Sequence, residues 1–290
     1  MKKYFIFAAA MMMLAACENG MDEQVAPVMN NEQTEADTQV TLTFNPYDVA
    51  PMTRSASRRA ATSIAGVVSK LDVWITEGGN TIDVHQSSTD DGFGTVSVSL
   101  NRLKTYTLVA VAHKASGAAT LTDGVIAFPD EKVTHAMVYQ TTFCPGTTAS
   151  LNCEMTRIVG MFRFEIADQV PDDAKHIQFA LGSSFTRWNV AGTGANATDR
   201  TVTFNNFNRD DSGAAFTIYI IPTNLTDTDQ FDITVKTFYQ NGDEYETKTF
   251  EDVPIKAGYK TTYHGQFFTT TAASAAFVVD DWSNFDTVEY

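Results

Sequence analysis

Cys17 is the residue whose position implies the most definite chemistry. It follows the Lys2-Lys3 pair, an apolar stretch over residues 4–13 and the tripeptide Leu14-Ala15-Ala16. A basic start, a short apolar stretch and small residues before the cleavage point are typical of an export signal. The apolar stretch is shorter than the ~20 residues that a membrane-spanning helix needs. We therefore predict that residues 1–16 are removed and that Cys17 is acylated on its sulfur and its new amino group.

Three arginines form a second group with predictable chemistry. Arg54, Arg58 and Arg59 lie in a basic, unpatterned stretch over residues 53–61, in a chain whose formal net charge is -15. Such a stretch is expected to be an exposed loop, where proteolysis concentrates. The sequence therefore predicts a processing site for a protease that cuts after arginine.

Cys144 and Cys153 are the two cysteines that remain once Cys17 is acylated. The turn signal Pro145-Gly146 lies between them, and an exported protein meets an environment that permits disulfides. A disulfide and a pair of buried thiols that pack as small apolar side chains are both compatible with this spacing.

Neither catalysis nor metal binding is predicted. No histidine lies in an HxxxH or HExxH arrangement, and the sequence contains no GxSxG element for a serine nucleophile. We expect no enzyme activity, no cofactor and no metal site. The five histidines are scattered along the chain at positions 85, 113, 135, 176 and 264.

The charge of the chain excludes some partners. Removal of residues 1–16 takes away Lys2 and Lys3, so the formal charge changes from -15 to -17. A protein this acidic has no electrostatic footprint for nucleic acid. We predict no nucleic-acid partner.

The elements that must carry these residues are strands. Residues 17–37 form an acidic stretch without apolar periodicity and are predicted to be a flexible tether. Val40, Leu42 and Phe44 then alternate with polar residues as in a half-buried strand. Similar short strands recur along the rest of the chain, including a hairpin at Asn241-Gly242. We predict an all-β fold of two tandem Greek-key, transthyretin-like β-sandwiches, with domains at residues 38–154 and 155–290.

Four short features occur in order along the chain: Met52–Ala56, Phe93–Thr95 followed by Leu108–His113, Met155–Val159 and Phe277–Trp282. With the export signal and tether before them, they resemble the fimbrillin-type (type V) fimbrial subunits and fimbrial anchor proteins of Bacteroidales over nearly the whole chain. Eight residues, 283–290, follow the last of these features.

The resemblance implies a route of assembly. An arginine-specific surface protease would cut after Arg54, Arg58 or Arg59 and remove the lipidated tether with the strand that carries Val40, Leu42 and Phe44. The C-terminal strand of another subunit would fill the vacated groove by β-strand addition, and its donor residues would be Ala275, Phe277 and Val279. Such head-to-tail contacts do not close on themselves and therefore produce a filament. The expected location is the outer membrane and then the fimbria.

Four other functions stay open from the sequence. An anchor subunit of the same family would keep its lipid and escape cleavage, and a tip subunit would end the fibre. A surface glycan-binding lipoprotein would share the signal and the sandwiches, and would need exposed aromatic side chains. Trp188, which is expected in an exposed loop, and a few tyrosines are the candidates. A surface hydrolase would need a catalytic constellation that the sequence does not present.

Overall fold

The computed structural model describes residues 37–47, 63–147, 149–205, 214–269 and 277–282. Apart from three short 3-10 turns, the regular elements of these residues are strands, which confirms the all-β prediction. Among them no helix is long and apolar enough to cross a membrane. The strands are β1 (Asp37–Pro46), β2 (Lys70–Glu77), β3 (Asn80–Ser87), β4 (Thr95–Asn101), β5 (Tyr106–His113), β6 (Thr120–Thr122), β7 (Val125–Ala127), β8 (Ala136–Phe143), β9 (Ser150–Arg157), β10 (Gly160–Ile166), β11 (His176–Asn189), β12 (Thr193–Phe204), β13 (Ala215–Ile220), β14 (Asp229–Phe238), β15 (Glu244–Ile255), β16 (Tyr259–Gly265) and β17 (Phe277–Asp281).

The first sandwich consists of β1–β5, β8 and β9. One layer has the strand order β4-β1-β9 and the other the order β3-β2-β5-β8. Only two residue pairs, Met137–Arg157 and Val138–Thr156, join the layers at the edge where β8 meets β9. Alternating side chains of both layers face inward and form one hydrophobic core, as expected for strands that bury one face.

The second sandwich consists of β10–β17. One layer has the order β13-β10-β16-β17, and the other contains β12, β11, β14 and β15. Its core is rich in aromatic side chains: the Phe164 ring stacks on Tyr263 at 4.8 Å and meets Phe179 and Phe250 edge-on at 5.5 Å. Edge-to-face and stacked contacts at these distances are favourable.

The two sandwiches share one connectivity. In the first, β1 pairs antiparallel with β4 and parallel with β9. In the second, β10 pairs antiparallel with β13 and parallel with β16. The opposite layers, β3-β2-β5-β8 and β12-β11-β14-β15, also correspond. In each, the strand that comes second in the chain lies at one edge and is followed across the layer by the first, third and fourth. Among the described strands of the first sandwich, none corresponds to β17.

A hairpin links the two halves of the molecule. β6 and β7 lie in sequence between β5 and β8, yet β7 pairs with β11 of the second sandwich, with Val125 opposite Asn189 and Ala127 opposite Arg187. A third hydrophobic cluster forms around this hairpin and contains Ile126, Trp188 and Trp282. The predicted domain boundary after residue 154 falls within β9 and stays a prediction.

Several local predictions can be compared with the strands. The Asn241-Gly242 signal does lie between two paired strands, β14 and β15, with Gly242 at φ +90°. The expectation that Trp188 lies in an exposed loop is wrong. β11 extends to Asn189, and Trp188 is 1% exposed because it faces the core between the sandwiches.

Candidate functional site

The strand β1 is the central strand of its layer. It pairs with β4 at seven positions, from Asp37–Asn101 to Thr43–Thr95. On its other side it pairs with β9 at six positions, from Thr41–Ser150 to Pro46–Met155. Because both edges of β1 are hydrogen-bonded, the strand is a structural member of the sandwich and not an addition to its edge.

The inward face of β1 carries the three predicted residues. Val40, Leu42 and Phe44 are at most 1% exposed and belong to the core of the first sandwich. The intervening Thr41 and Thr43 are on the other face, as the period-2 pattern predicts. Burial of each large apolar side chain contributes about 1.5–3 kcal/mol, so β1 supplies a large share of the stability of this sandwich.

Gly94 closes the sandwich against the end of β1. Its carbonyl accepts the N–H of Phe44 at 2.8 Å, and it adopts φ +90°, a conformation that side chains other than glycine rarely tolerate. A Cβ on Gly94 would lie 2.5 Å from Cγ2 of Ile64. Glycine at position 94 therefore avoids a clash with Ile64 while its carbonyl is hydrogen-bonded to β1.

Loss of β1 would change this layer in a specific way. β4 and β9 would each lose a hydrogen-bonded neighbour, and an apolar groove would open where Val40, Leu42 and Phe44 now pack. Unpaired strand edges are templates for another strand, and exposed core surface favours an apolar one. The place that β1 occupies is therefore a groove lined by core side chains and flanked by the edges of β4 and β9.

The chemistry predicted around this strand lies on both sides of it in sequence. β1 begins at Asp37, and the chain after it is described again from Ser63. Cys17 precedes the strand and Arg54, Arg58 and Arg59 follow it, so all four lie outside the described residues. The segment over residues 48–62 joins β1 to the rest of the first sandwich.

The predicted donor strand corresponds in part to β17. β17 pairs antiparallel with β16, from Tyr259–Asp281 to Tyr263–Phe277, and is the last strand of its layer. Phe277 packs against the core of the second sandwich. Val279, predicted on the same face, is 45% exposed, and the adjacent Val278 is 54% exposed. Ala275 lies outside the described residues.

No disulfide joins Cys144 and Cys153 in the described part of the chain. The short β8–β9 register, continued, would place Thr141 and not Cys144 opposite Cys153. Cys153 instead faces the core and is fully buried, which raises the pKa of its thiol to about 12. The thiol of Cys144 donates to the carbonyl oxygen of Arg102 at 3.4 Å. The structure therefore places the two thiols in different environments.

A buried carboxylate and two histidines form the polar cluster most similar to catalytic machinery. Asp72 accepts hydrogen bonds from His113 Nε2 at 2.8 Å and from the N–H of Ala119 at 2.9 Å, and it contacts His85 Nδ1 at 2.7 Å. Burial opposes ionisation, but these hydrogen bonds outweigh it and hold the pKa of Asp72 below its usual range.

His113 is not arranged as a general base. Its Nδ1 accepts the N–H of Ala115 at 3.1 Å, so the proton is on Nε2 and is donated to Asp72. Both ring nitrogens are therefore occupied, and the ring is fully buried. Through Ala115 and Ala119 the cluster fixes the chain that leads into the β6–β7 hairpin. No local sequence pattern indicates this structural role, because Asp72 and His113 are 41 residues apart.

The tryptophans do not provide a sugar-stacking surface. Trp74, Trp188 and Trp282 are 5%, 1% and 4% exposed and all belong to the cluster between the sandwiches. Glycan sites commonly offer exposed aromatic faces to a sugar ring, and these three side chains do not. Within the described ranges, no group of three or more His, Cys, Asp or Glu side chains could hold a metal ion.

Comparisons with known proteins show the fold. No family model matches the chain, and no curated protein matches it in sequence. A crystal structure of a proposed cell adhesion protein from Bacteroides ovatus superposes with a TM-score of 0.50 at 15% identity, over 88% of this chain and 100% of that one. Proposed polysaccharide binding proteins from Bacteroides thetaiotaomicron give 0.50 at 12% identity, over 84% and 96%. A fimbrial assembly protein from Parabacteroides distasonis gives 0.45 at 12% identity, over 84% and 96%.

Proposed function

We propose that this chain is a subunit of a cell-surface fimbria that is exported as a lipoprotein and assembled by strand exchange. In this proposal the precursor is anchored in the outer membrane through acylated Cys17. A surface protease cuts after Arg54, Arg58 or Arg59, and β1 leaves with the tether. A C-terminal strand of another copy then occupies the groove between β4 and β9.

The observation that carries this proposal is the position of β1. It is a central strand with three core side chains, yet it is joined to the remaining sandwich only by residues 48–62. A single cut in that segment separates β1 covalently from everything that it packs against. Few other strands of a sandwich could be removed by one cut, because most are joined to neighbours at both ends.

The fold agrees with this role. A surface adhesion role fits a chain that shares its fold with a proposed cell adhesion protein. The strongly acidic composition fits a protein exposed at the cell surface. A fibre subunit needs no catalytic group, and the Asp72 cluster is occupied by structural hydrogen bonds.

The first test is the mass and N-terminal residue of the protein recovered from the native cell surface. A start directly after Arg54, Arg58 or Arg59 is expected. An acylated Cys17 as the N-terminus of all the protein would overturn cleavage and favour the alternative of an anchor subunit that keeps its lipid. Cys17→Ser should abolish membrane retention without unfolding the sandwiches.

A substitution series sharpens this test. The combined Arg54→Ala, Arg58→Ala and Arg59→Ala variant is expected to stay uncut and to form no polymer. Arg102→Ala is the matched control, because Arg102 is an exposed arginine outside the predicted loop, and it should be processed as the wild type is. Normal polymerisation of the triple variant would contradict the proposal.

A further inference from the structure

Trp282 is held in a pocket between the two sandwiches, here called the junction socket and formed by His135, Arg157, Tyr219 and Gly258. The Trp282 ring lies 4.5 Å from the His135 ring and stacks on Tyr219 at 5.6 Å. The Arg157 guanidinium lies over the same ring at 4.5 Å, in cation–π geometry. The side chain is 4% exposed.

The backbone of Trp282 is bonded in the same place. Arg157 Nη1 donates to the Trp282 carbonyl oxygen at 2.9 Å, and the Trp282 N–H donates to the carbonyl oxygen of Gly258 at 3.3 Å. Arg157 also donates through Nε to His135 Nε2 at 3.2 Å. Arg157 therefore contacts both the ring and the carbonyl of Trp282, and it orients the histidine that packs on the ring.

The socket matters because β17 has few other attachments. β17 pairs with β16 along one edge, and of its apolar side chains only Phe277 packs against a core. Val278 and Val279 are about half exposed. Trp282 follows β17 directly, so its large buried ring holds the C-terminal end of this strand on its own chain, while Phe277 holds the other end.

Arg157 links the socket to β1. It is the last residue of β9, two positions after Met155, whose carbonyl accepts the N–H of Tyr47 at 2.8 Å. β1 is the hydrogen-bonded neighbour of β9 along residues 150–155, and β8 pairs with it only at residues 156 and 157. The strand that places Arg157 in the socket is therefore aligned along most of its length by β1.

We propose that Trp282 is a latch that retains β17 on its own chain while β1 is in place. Loss of β1 loosens β9, displaces Arg157 from Trp282 and so favours release of β17. This inference rests on the proposed function, since it makes a subunit competent to donate its C-terminal strand only after its own acceptor groove has opened. The two states are β17 paired with Trp282 in the socket and β17 released, and β1 shifts the equilibrium between them.

Hydrogen exchange followed by mass spectrometry tests the latch on the uncut chain. Trp282→Ala should accelerate exchange of the β17 amides at least tenfold and leave those of β4, whose buried side chains lie in the core of the first sandwich, unchanged. Val279→Ala, on the same strand but outside the socket, is the matched control and should exchange as the wild type does. Equal β17 exchange in the Trp282→Ala and wild-type chains would overturn the latch.

A second arm needs no change in the socket. A recognition site for a sequence-specific protease, placed within residues 53–61, allows the chain to be cut at will, and mild denaturant allows the β1 fragment to be separated. Exchange in β17 should then rise at least tenfold, and Trp282→Ala should add nothing further. Unchanged β17 exchange after loss of β1 would overturn the coupling even if Trp282→Ala does not fold.

The two proposals fail in different ways. Native protein that is never cut after Arg54, Arg58 or Arg59 would overturn the proposed function. Hydrogen exchange in the uncut Trp282→Ala chain would still show whether Trp282 retains β17. Conversely, normal processing and polymerisation with unaltered β17 exchange in both arms would leave the fimbrial role standing and exclude the latch.

Discussion

Asp168 anchors Thr269 through two hydrogen bonds to one carboxylate oxygen: Oδ2 accepts the backbone N–H of Thr269 at 2.8 Å and its hydroxyl at 3.0 Å. The same carboxylate accepts the N–H groups of Phe267 and Phe268 at 2.8 Å. One side chain that follows β10 therefore fixes the backbone that follows β16. This is the start of the connection towards β17.

The first prediction concerns this anchor. Asp168→Ala should lower the free energy of unfolding by about 2–4 kcal/mol, because three backbone donors lose a charged acceptor. Chemical denaturation of the full chain measures the change. Asp173 is an exposed aspartate that lies, like Asp168, between β10 and β11. Asp173→Ala should change the free energy of unfolding by less than about 0.5 kcal/mol.

Acid should weaken the same anchor. Burial opposes ionisation of Asp168, but the donated hydrogen bonds outweigh it and lower its pKa below 3.8. The unfolded chain then binds this proton at a higher pH than the folded chain does. The contribution of ionised Asp168 to the free energy of unfolding is therefore present above about pH 3.8. It is lost as pH falls through the lower pKa that Asp168 has in the folded chain. Asp168→Ala should remove this part of the acid dependence.

The second prediction concerns His135. Its ring is fully buried, and burial lowers its pKa well below 6.5, with further contributions from the positive charges of Arg157 and Lys114. Arg157 donates to Nε2, so this nitrogen carries no proton in the folded chain.

The sign of the resulting pH dependence is fixed. Below about pH 6.5, His135 takes up a proton in the unfolded chain but not in the folded chain. The free energy of unfolding therefore has its full value above about pH 6.5 and decreases as pH falls towards the pKa of His135 in the folded chain. Unfolding measured from pH 7.5 to pH 5 should show this slope, and His135→Gln should reduce it. His176→Gln serves as the control, because that histidine is only half-buried and stacks on Phe238 away from the socket. An unchanged slope in His135→Gln would contradict the assignment.

The parts of the fold that follow from local pattern could be predicted from sequence. Val40, Leu42 and Phe44 alternate with polar residues, and that period alone assigns them to the buried face of a strand. The Asn241-Gly242 turn is equally local, because its glycine takes the positive φ that the turn requires.

Long-range pairing could not be predicted in the same way. The segment around Trp188 reads as a loop because Gly182 and Ser183 interrupt its alternation, whereas in the structure they form a bulge and β11 continues beyond them. The partner that buries Trp188 is the β6–β7 hairpin, some 60 residues earlier in the chain. The junction socket likewise joins Arg157 to Trp282 across 125 residues. No sequence period encodes such a contact.

The third prediction measures how much β1 contributes to the first sandwich. Phe44→Ala should lower the free energy of unfolding by about 3–5 kcal/mol, because a fully buried ring is replaced by a cavity. Thr43→Ala, at the exposed neighbouring position, should change it by less than about 0.5 kcal/mol. Thermal unfolding of the uncut wild type and of both variants measures these two changes in free energy. Similar effects at both positions would mean that β1 is only loosely packed.

The fourth prediction concerns the cysteines. Because Cys144 and Cys153 are not joined, dithiothreitol should leave the midpoint of thermal unfolding unchanged. Cys153 is fully buried and its pKa is raised to about 12, so the reactive thiolate is scarce at neutral pH. Iodoacetamide should therefore modify Cys144, which is half-buried, well before Cys153. Peptide mass spectrometry of the labelled chain gives both rates, and labelling in denaturant should make them equal. A mass two hydrogens lower, with both cysteines refractory until reduction, would instead establish a disulfide in the exported protein.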